Sequence, residues 1–282
     1  MVNGAMTLPT FLGIGAQRCG TTWLDANLRS HPEIYLPERR KEVHFFDKYH
    51  ERGPGWYERF FPDSRAASRF AVFGEITPRY LYDPRVPRRI GELIPDCRFL
   101  VMLRNPVERA LSQYAYVVRN TAERRSFAAY LEQEKEVFAR GLYSEQLERY
   151  FGIFGRDRFL VLVFEQVMGD PLVALRRIVQ FLGVDHQGFA HDLLQRRINA
   201  SQQVRFKRAY AAARRLADRV RDNDMDWIVH WAKQLRVAEW FGKAAPIAPL
   251  AAGDRARLAS RYRQEISALE RLLGVDLTLW RR

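Results

Sequence analysis

The sequence has only two cysteines in 282 residues, Cys19 and Cys97. That number excludes a disulfide framework, and the pair shows none of the CxxC or Cys/His spacings of a zinc site, so no metal is expected. A reducing, cytoplasmic setting fits. No apolar run reaches the ~18 residues of a membrane span. The apolar stretch after residue 10 is broken by Gly13, Gly15, Gln17 and Arg18, and the first ten residues lack the basic region of a secretory signal. A soluble protein without a transmembrane segment is expected. Lysine is also scarce: six lysines stand against forty arginines, and Lys plus Arg exceed Asp plus Glu to give a net charge of +13. Arginine's planar fork of donors suits phosphate and sulfate, and such a field attracts polyanions and anionic nucleotides alike.

What is present is the composition of a globular protein: 47% hydrophobic and 28% charged, enough to bury a large core. Short apolar runs at 11–14, 71–76, 98–103 and 158–164 have the length of buried parallel strands. Helical patterns alternate with them at 21–29, 85–93, 106–119 and 171–182. Asn105 is placed as an N-cap, with Pro106 at the first helical position. The expected fold class is α/β, a three-layer domain whose central, mostly parallel sheet is flanked by helices, with ligands beyond the carboxyl ends of the strands. From about residue 196 strands disappear, and 205–221, 225–237 and 254–273 read as Arg-rich helices. With no repeat or long linker, the whole of 1–282 is expected to be one domain, an α/β core over 11–185 and a helical part over 196–282 packed on it.

Residues 15–22, GAQRCGTT, lie between the first strand and the first helix. There, backbone N–H groups and the helix N-terminus together make an anion site. A nucleotide-triphosphatase loop needs Lys directly after the second glycine and Ser/Thr next, on magnesium. Thr21 occupies the lysine position here. The available cation, Arg18, stands two residues before Gly20, which favours a shorter anionic group than a magnesium-bound triphosphate.

With these features the sequence resembles the sulfotransferases that use 3′-phosphoadenosine 5′-phosphosulfate, whose fold is P-loop-like. The resemblance implies that Arg18, Cys19, Gly20, Thr21, Thr22 and Trp23 at the first loop bind the 5′-phosphosulfate, with Arg18 also acting in catalysis. A second segment, Arg104 followed eight residues later by Ser112, is similar to the family's 3′-phosphate site, and Ser112 falls two turns into the helix beside that strand end. Residues 41–47, KEVHFFD, look like the segment that supplies the glutamate base in the heparan-sulfate type. Glu42 is accordingly the expected general base, with His44 beside it. In an extended loop, residues two apart face one side, which puts Glu42 and His44 towards one acceptor and Val43 towards the protein. Residues 75–80, 141–154 and 181–183 extend the likeness over about 11–185.

Two departures stand out. The carbohydrate branch carries Lys before its Thr-Pro pair where this chain has Ile76, and no glycine occurs between Gly188 and Gly242 to form the family's closing loop. Arg196, Arg197, Arg205 and Lys207 are the candidates for that closing role. The implied co-substrate needs no metal, and the implied acceptor is a hydroxyl or amine of a small-molecule, carbohydrate or lipid-like compound. Trp56, Tyr57, Tyr80, Tyr82, Tyr114, Tyr116 and Tyr143 are equally candidates for its pocket and for the core. A small-molecule kinase is the competing enzyme reading, disfavoured by Thr21. A basic nucleic-acid-binding module is the other, disfavoured because no RNP pattern, zinc knuckle or helix-turn-helix accompanies the charge. Oligomeric state leaves no mark in the sequence.

Overall fold

A computed structural model describes residues 7–63, 67–121, 123–185 and 252–281, together with Ala212, Leu216, Ala217, Arg219, Val220 and Asp222. Five strands form one parallel sheet: β1 (Phe11–Gly15), β2 (Ile34–Tyr35), β3 (Val72–Ile76), β4 (Arg98–Leu103) and β5 (Phe159–Val163), in the order β2-β3-β1-β4-β5. Ten α-helices occur among the described residues. They are α1 (Thr21–Arg29), α2 (Pro54–Glu58), α3 (Val86–Leu93), α4 (Pro106–Asn120), α5 (Phe127–Gln133), α6 (Lys135–Ala139), α7 (Tyr143–Phe154), α8 (Phe164–Gly169), α9 (Pro171–Leu182) and α10 (Ala252–Leu273).

The three layers follow from the period-two alternation of the central strands. Phe99, Val101 and Leu103 of β4 join Leu12 and Ile14 of β1 in one apolar layer with Ile90 of α3, Ala110 of α4, Tyr150 of α7 and Tyr262 of α10. Leu100, Met102 and Phe11 face the other side, against Trp23, Leu24 and Leu28 of α1 and Leu175 and Ile178 of α9. Because both faces are covered, the strands read as nearly continuous apolar runs, which is why the sequence located them. The Asn105 side chain caps α4, its Oδ1 accepting from the N–H groups of Val107 and Glu108.

Several elements differ from the expectation. The edge strand β2 has two residues, too few to carry a period. The fourth strand stops at Val163, and Phe164 already opens α8. The short helices α2, α5 and α6 were not legible, since five to seven residues span fewer than two turns. Expected helix 225–237 lies outside the described residues, as does most of 205–221. Helix α10 packs on the sheet domain: Tyr262 Oη donates to the Phe138 carbonyl at 2.8 Å, and Glu265 accepts from Ser144 Oγ at 2.7 Å.

Strand order reverses at β1, so the crevice beyond its carboxyl end is flanked by β3 and β4, the switch point at which such sheets bind ligands. Close approach fixes this centre, since a Cβ on Gly74 of β3 would lie 2.2 Å from the Phe11 ring. Gly74→Ala is therefore expected to lower the unfolding free energy by about 1–3 kcal/mol, the usual scale of overpacking, as read by urea titration.

Candidate functional site

The loop 15–22 leaves β1 and turns back on itself. Arg18 takes φ 68° and Gly20 φ 89°, both in the left-handed region. A Cβ on Gly20 would lie 2.7 Å from Phe164 Cδ2 and 2.9 Å from Met102 Sδ. Glycine is thus needed here for its dihedral and for its size. Gly20 is the N-cap of α1 and gives it no side-chain cap, and the first turn holds no acidic residue. The partial positive charge of the helix end is left for an anion.

Three segments far apart in sequence meet at this loop. The Arg18 guanidinium lies 4.3 Å from the Tyr116 ring centroid and donates from Nη2 to the Ser112 carbonyl at 3.5 Å, both on α4. Arg104, at the end of β4, lies 4.8 Å over the Phe164 ring and 3.8 Å from the Glu108 carboxylate. Lys41 reaches in from the third segment and donates to Thr22 Oγ1 at 2.9 Å. Burial lowers the pKa of Arg18, and the like charges of Arg119 and Arg104 act in the same direction against the opposing effect of Tyr116. The Nε atoms of Arg18 and Arg104 are buried with no hydrogen-bond partner among the described residues.

Other expected donor-site residues are placed differently. Cys19 is fully buried, its Sγ 3.7 Å from Tyr143 Oη, and burial pushes the thiol up to about 11. Trp23 packs in the apolar layer beneath α1. Cys19 belongs to the loop, and Trp23 to the first turn of α1. Thr21 is buried in the first turn of α1. Arg196, Arg197, Arg205 and Lys207 lie outside the described residues. Trp56, Tyr57, Tyr80 and Tyr143 are core residues, whereas Tyr82, Tyr114 and Tyr116 are half-buried.

The segment 41–47 is tied to the end of β3 by one buried carboxylate. Glu75, completely inaccessible, accepts from Tyr57 Oη at 2.8 Å, Tyr80 Oη at 2.7 Å, Thr77 Oγ1 at 2.7 Å and the Val43 N–H at 3.2 Å. Two of those hydroxyls accept in turn from the segment, Thr77 Oγ1 from the His44 N–H at 3.4 Å and Tyr80 Oη from the Phe46 N–H at 3.3 Å. Burial pushes the Glu75 pKa up, and the donors from Thr77, Tyr80 and Tyr57 oppose that shift.

Val43 turns into the core, as the alternation requires, but the segment is not extended at His44, which takes φ 60°. The imidazole nevertheless sits between two carboxylates: Nδ1 is 3.0 Å from Asp47 Oδ2, and Nε2 is 3.4 Å from Glu42 Oε2. Burial opposes its charge, but hydrogen bonds to Asp47 and Glu42 outweigh burial and raise its pKa to about 9. His44 is therefore an imidazolium near neutrality, and Arg79 Nε backs Asp47 at 3.5 Å.

Asp47 and Glu75 were not singled out from sequence. Asp47, three residues after His44, carried a proximity signal. Glu75 carried one as an acid inside an apolar strand. Arg140 was missed too: it donates to the Gln17 side chain in the loop and lies 5.1 Å over the Tyr82 ring. Ile76, at the position where the carbohydrate branch has lysine, is completely buried in the apolar layer of α1. Among the described residues no cluster of three metal-ligating side chains occurs, and no helix is long and apolar enough to cross a membrane.

Because the folded pKa of His44 lies above its ordinary value of 6.5, its pairing contributes stability in full below about pH 6.5 and loses it as pH rises to about 9. The difference in unfolding free energy between the natural protein and His44→Gln is expected to shrink across that window and level off above it. Urea titrations at several pH values check this, and a difference independent of pH would show that His44 is uncharged in the folded state.

A family model for the sulfotransferase domain matches residues 9–224. Heparan sulfate glucosamine 3-O-sulfotransferase 6 of Homo sapiens is 32% identical over 189 residues, covering 64% of this chain and 54% of that protein. The bifunctional heparan sulfate N-deacetylase/N-sulfotransferase 3 of Homo sapiens is 28% identical over 221 residues, covering 67% of this chain and 25% of that protein. The chain spans about half the length of the first of these and a quarter of the second. The solved sulfotransferase of Alicyclobacillus acidocaldarius superposes with a TM-score of 0.71 at 27% identity, covering 98% of this chain and all of that one. The matched region holds the glycine loop, the Glu42 segment and the Arg104–Ser112 pair, all gathered at one edge of the P-loop-like sheet, and the chain belongs to the sulfotransferase family.

Proposed function

We propose that this protein transfers a sulfuryl group from 3′-phosphoadenosine 5′-phosphosulfate to a hydroxyl, or an amine, of a carbohydrate or small-molecule acceptor. One observation carries the reading. Arg18, in the loop that opens the uncapped α1, and Arg104, over the Phe164 ring that packs on Gly20, carry buried Nε atoms with no hydrogen-bond partner among the described residues. Arginine forks at a helix N-terminus suit tetrahedral oxyanions. The loop 15–22 and Lys41 would hold the 5′-phosphosulfate, and Arg104 and Ser112 the 3′-phosphate. The donor supplies an activated sulfuryl group on a phosphate leaving group.

The chain's own residues supply the rest. Glu42 takes the acceptor's proton while the acceptor atom forms its bond to sulfur and the bond from sulfur to the phosphate oxygen breaks. His44, held by Asp47, stands 3.4 Å from the Glu42 carboxylate and fixes its direction. Lys41, anchored on Thr22, supplies a positive charge beside the phosphate loop, where Ile76 supplies none. Positioning and electrostatics carry such a transfer, as they do at phosphorus. A cytoplasmic location is part of the proposal, supported by the two free, buried cysteines.

Three outcomes test it. Adenosine 3′,5′-bisphosphate without magnesium is expected to bind more tightly than ATP with magnesium in a calorimetric titration, and the reverse preference would favour the kinase. Arg18→Ala and Arg104→Ala are each expected to weaken bisphosphate binding about 10–100-fold through lost charge-assisted bonds. Unchanged affinity in either would remove that residue from the site. Glu42→Gln is expected to leave bisphosphate binding intact and to lower turnover of an accepted substrate about 10²–10⁴-fold. Near-normal turnover would end its assignment as base.

A further inference from the structure

Arg104 leaves the end of β4 on a backbone held from both sides by groups remote in sequence. Its own carbonyl accepts from Tyr143 Oη at 2.9 Å. The next residue, Asn105, closes a ring of hydrogen bonds with Glu165 and Trp280. The Asn105 N–H donates to Glu165 Oε1 at 3.0 Å, the Trp280 indole N–H donates to Glu165 Oε2 at 3.0 Å, and Asn105 Nδ2 donates to the Trp280 carbonyl at 3.1 Å. Asn105 Oδ1 is meanwhile spent on capping α4.

Every member of the ring bears on Arg104 or on the helix that carries Ser112. Glu165 follows Phe164, whose ring lies under the Arg104 guanidinium. Trp280 is almost completely buried and lies 6.2 Å, centroid to centroid, from the Tyr143 ring. Glu165 is half-buried and accepts at both oxygens, so losing the indole donor leaves one of those oxygens without its partner. Its simplest relaxation is to move towards Asn105 and shift the start of α4. A guanidinium that must meet a phosphate in a fork geometry tolerates little such displacement.

We propose that Trp280 is a positioning residue of the donor site, acting through Glu165 and Asn105 to aim Arg104, and thereby setting the preference for a nucleotide that carries a 3′-phosphate. The inference rests on the donor reading above and adds to it a determinant 175 residues from Asn105 in sequence. The first loop, which would bind the 5′ end, is outside the ring. The effect is therefore expected to fall mainly on the 3′ end.

The test compares the natural protein with Trp280→Phe, Glu165→Gln and, as a packing control, Leu277→Ala. Leu277 is buried in the same segment but is no member of the ring. Calorimetry gives the Kd of adenosine 5′-monophosphate and of adenosine 3′,5′-bisphosphate for each, and urea titration confirms folding. Trp280→Phe keeps an aromatic ring and removes the donor, and is expected to cut the ratio of the two Kd values about 5–10-fold. The loss should fall on the bisphosphate, with the monophosphate within about twofold. Glu165→Gln is expected to cut it similarly, which keeps the test decisive should Trp280→Phe not fold. Leu277→Ala is expected to lower stability and leave the ratio unchanged. An unchanged ratio in a folded ring variant, or an equal fall in Leu277→Ala, would overturn the role of Trp280. A natural protein that does not prefer the bisphosphate would overturn the donor reading itself, a separate failure visible before any variant is made.

Discussion

The site depends on one buried carboxylate. Glu75 sits at the end of a central strand, out of reach of water, and four donors converge on its two oxygens. Removing a carboxylate from water is costly unless its oxygens are satisfied, and here the satisfaction comes from Tyr57, Thr77, Tyr80 and the backbone of Val43. The Thr77 and Tyr80 hydroxyls can donate to Glu75 while accepting from His44 and Phe46. The cost of burying a single charge therefore fixes the path of 41–47 and brings Glu42 to the edge of the sheet where the phosphate loop opens.

Cations gather around the first loop: Arg119 and Arg104 act on Arg18 as like charges, and Lys41 is anchored by a hydroxyl. On the acceptor side the balance is reversed, with one imidazolium between Glu42 and Asp47. The site is thus split into a cationic half built on the first loop and α4, and an anionic half built on 42–47. Lys41 and Glu42, adjacent in sequence, sit on its seam. That division suits the proposed transfer between an anionic donor and a proton-bearing acceptor.

Much of the scaffold was legible because both faces of the sheet are covered. Strands β1, β4 and β5 are nearly continuous apolar runs, β3 is one interrupted by Glu75, and helices α1, α4 and α9 announce themselves by Pro, Asn or Gly at their ends. What was not legible was short or unperiodic: the two-residue β2, the helices α5 and α6, and the handover from β5 to α8 at Phe164. Within the site, the loop and the Arg104–Ser112 pair were legible as types at spacings. The aromatic candidates were not, because a tyrosine of the core and a tyrosine of a pocket have the same local pattern, and only packing separated Tyr57 and Tyr80 from Tyr82 and Tyr116.

The sequence by itself determined the α/β class, the position of the glycine loop after the first strand and the absence of a triphosphatase lysine. These are local properties, set by residue type and by spacing along one element. The tertiary structure alone decided that Cys19 and Trp23 turn their side chains into the core, and that His44 takes a left-handed turn and carries a proton between two carboxylates. It also decided that Lys41 reaches Thr22 and that Trp280 braces the start of α4. Each of these depends on desolvation or on a hydrogen bond between residues brought together only by the fold, and neither can be counted along a chain.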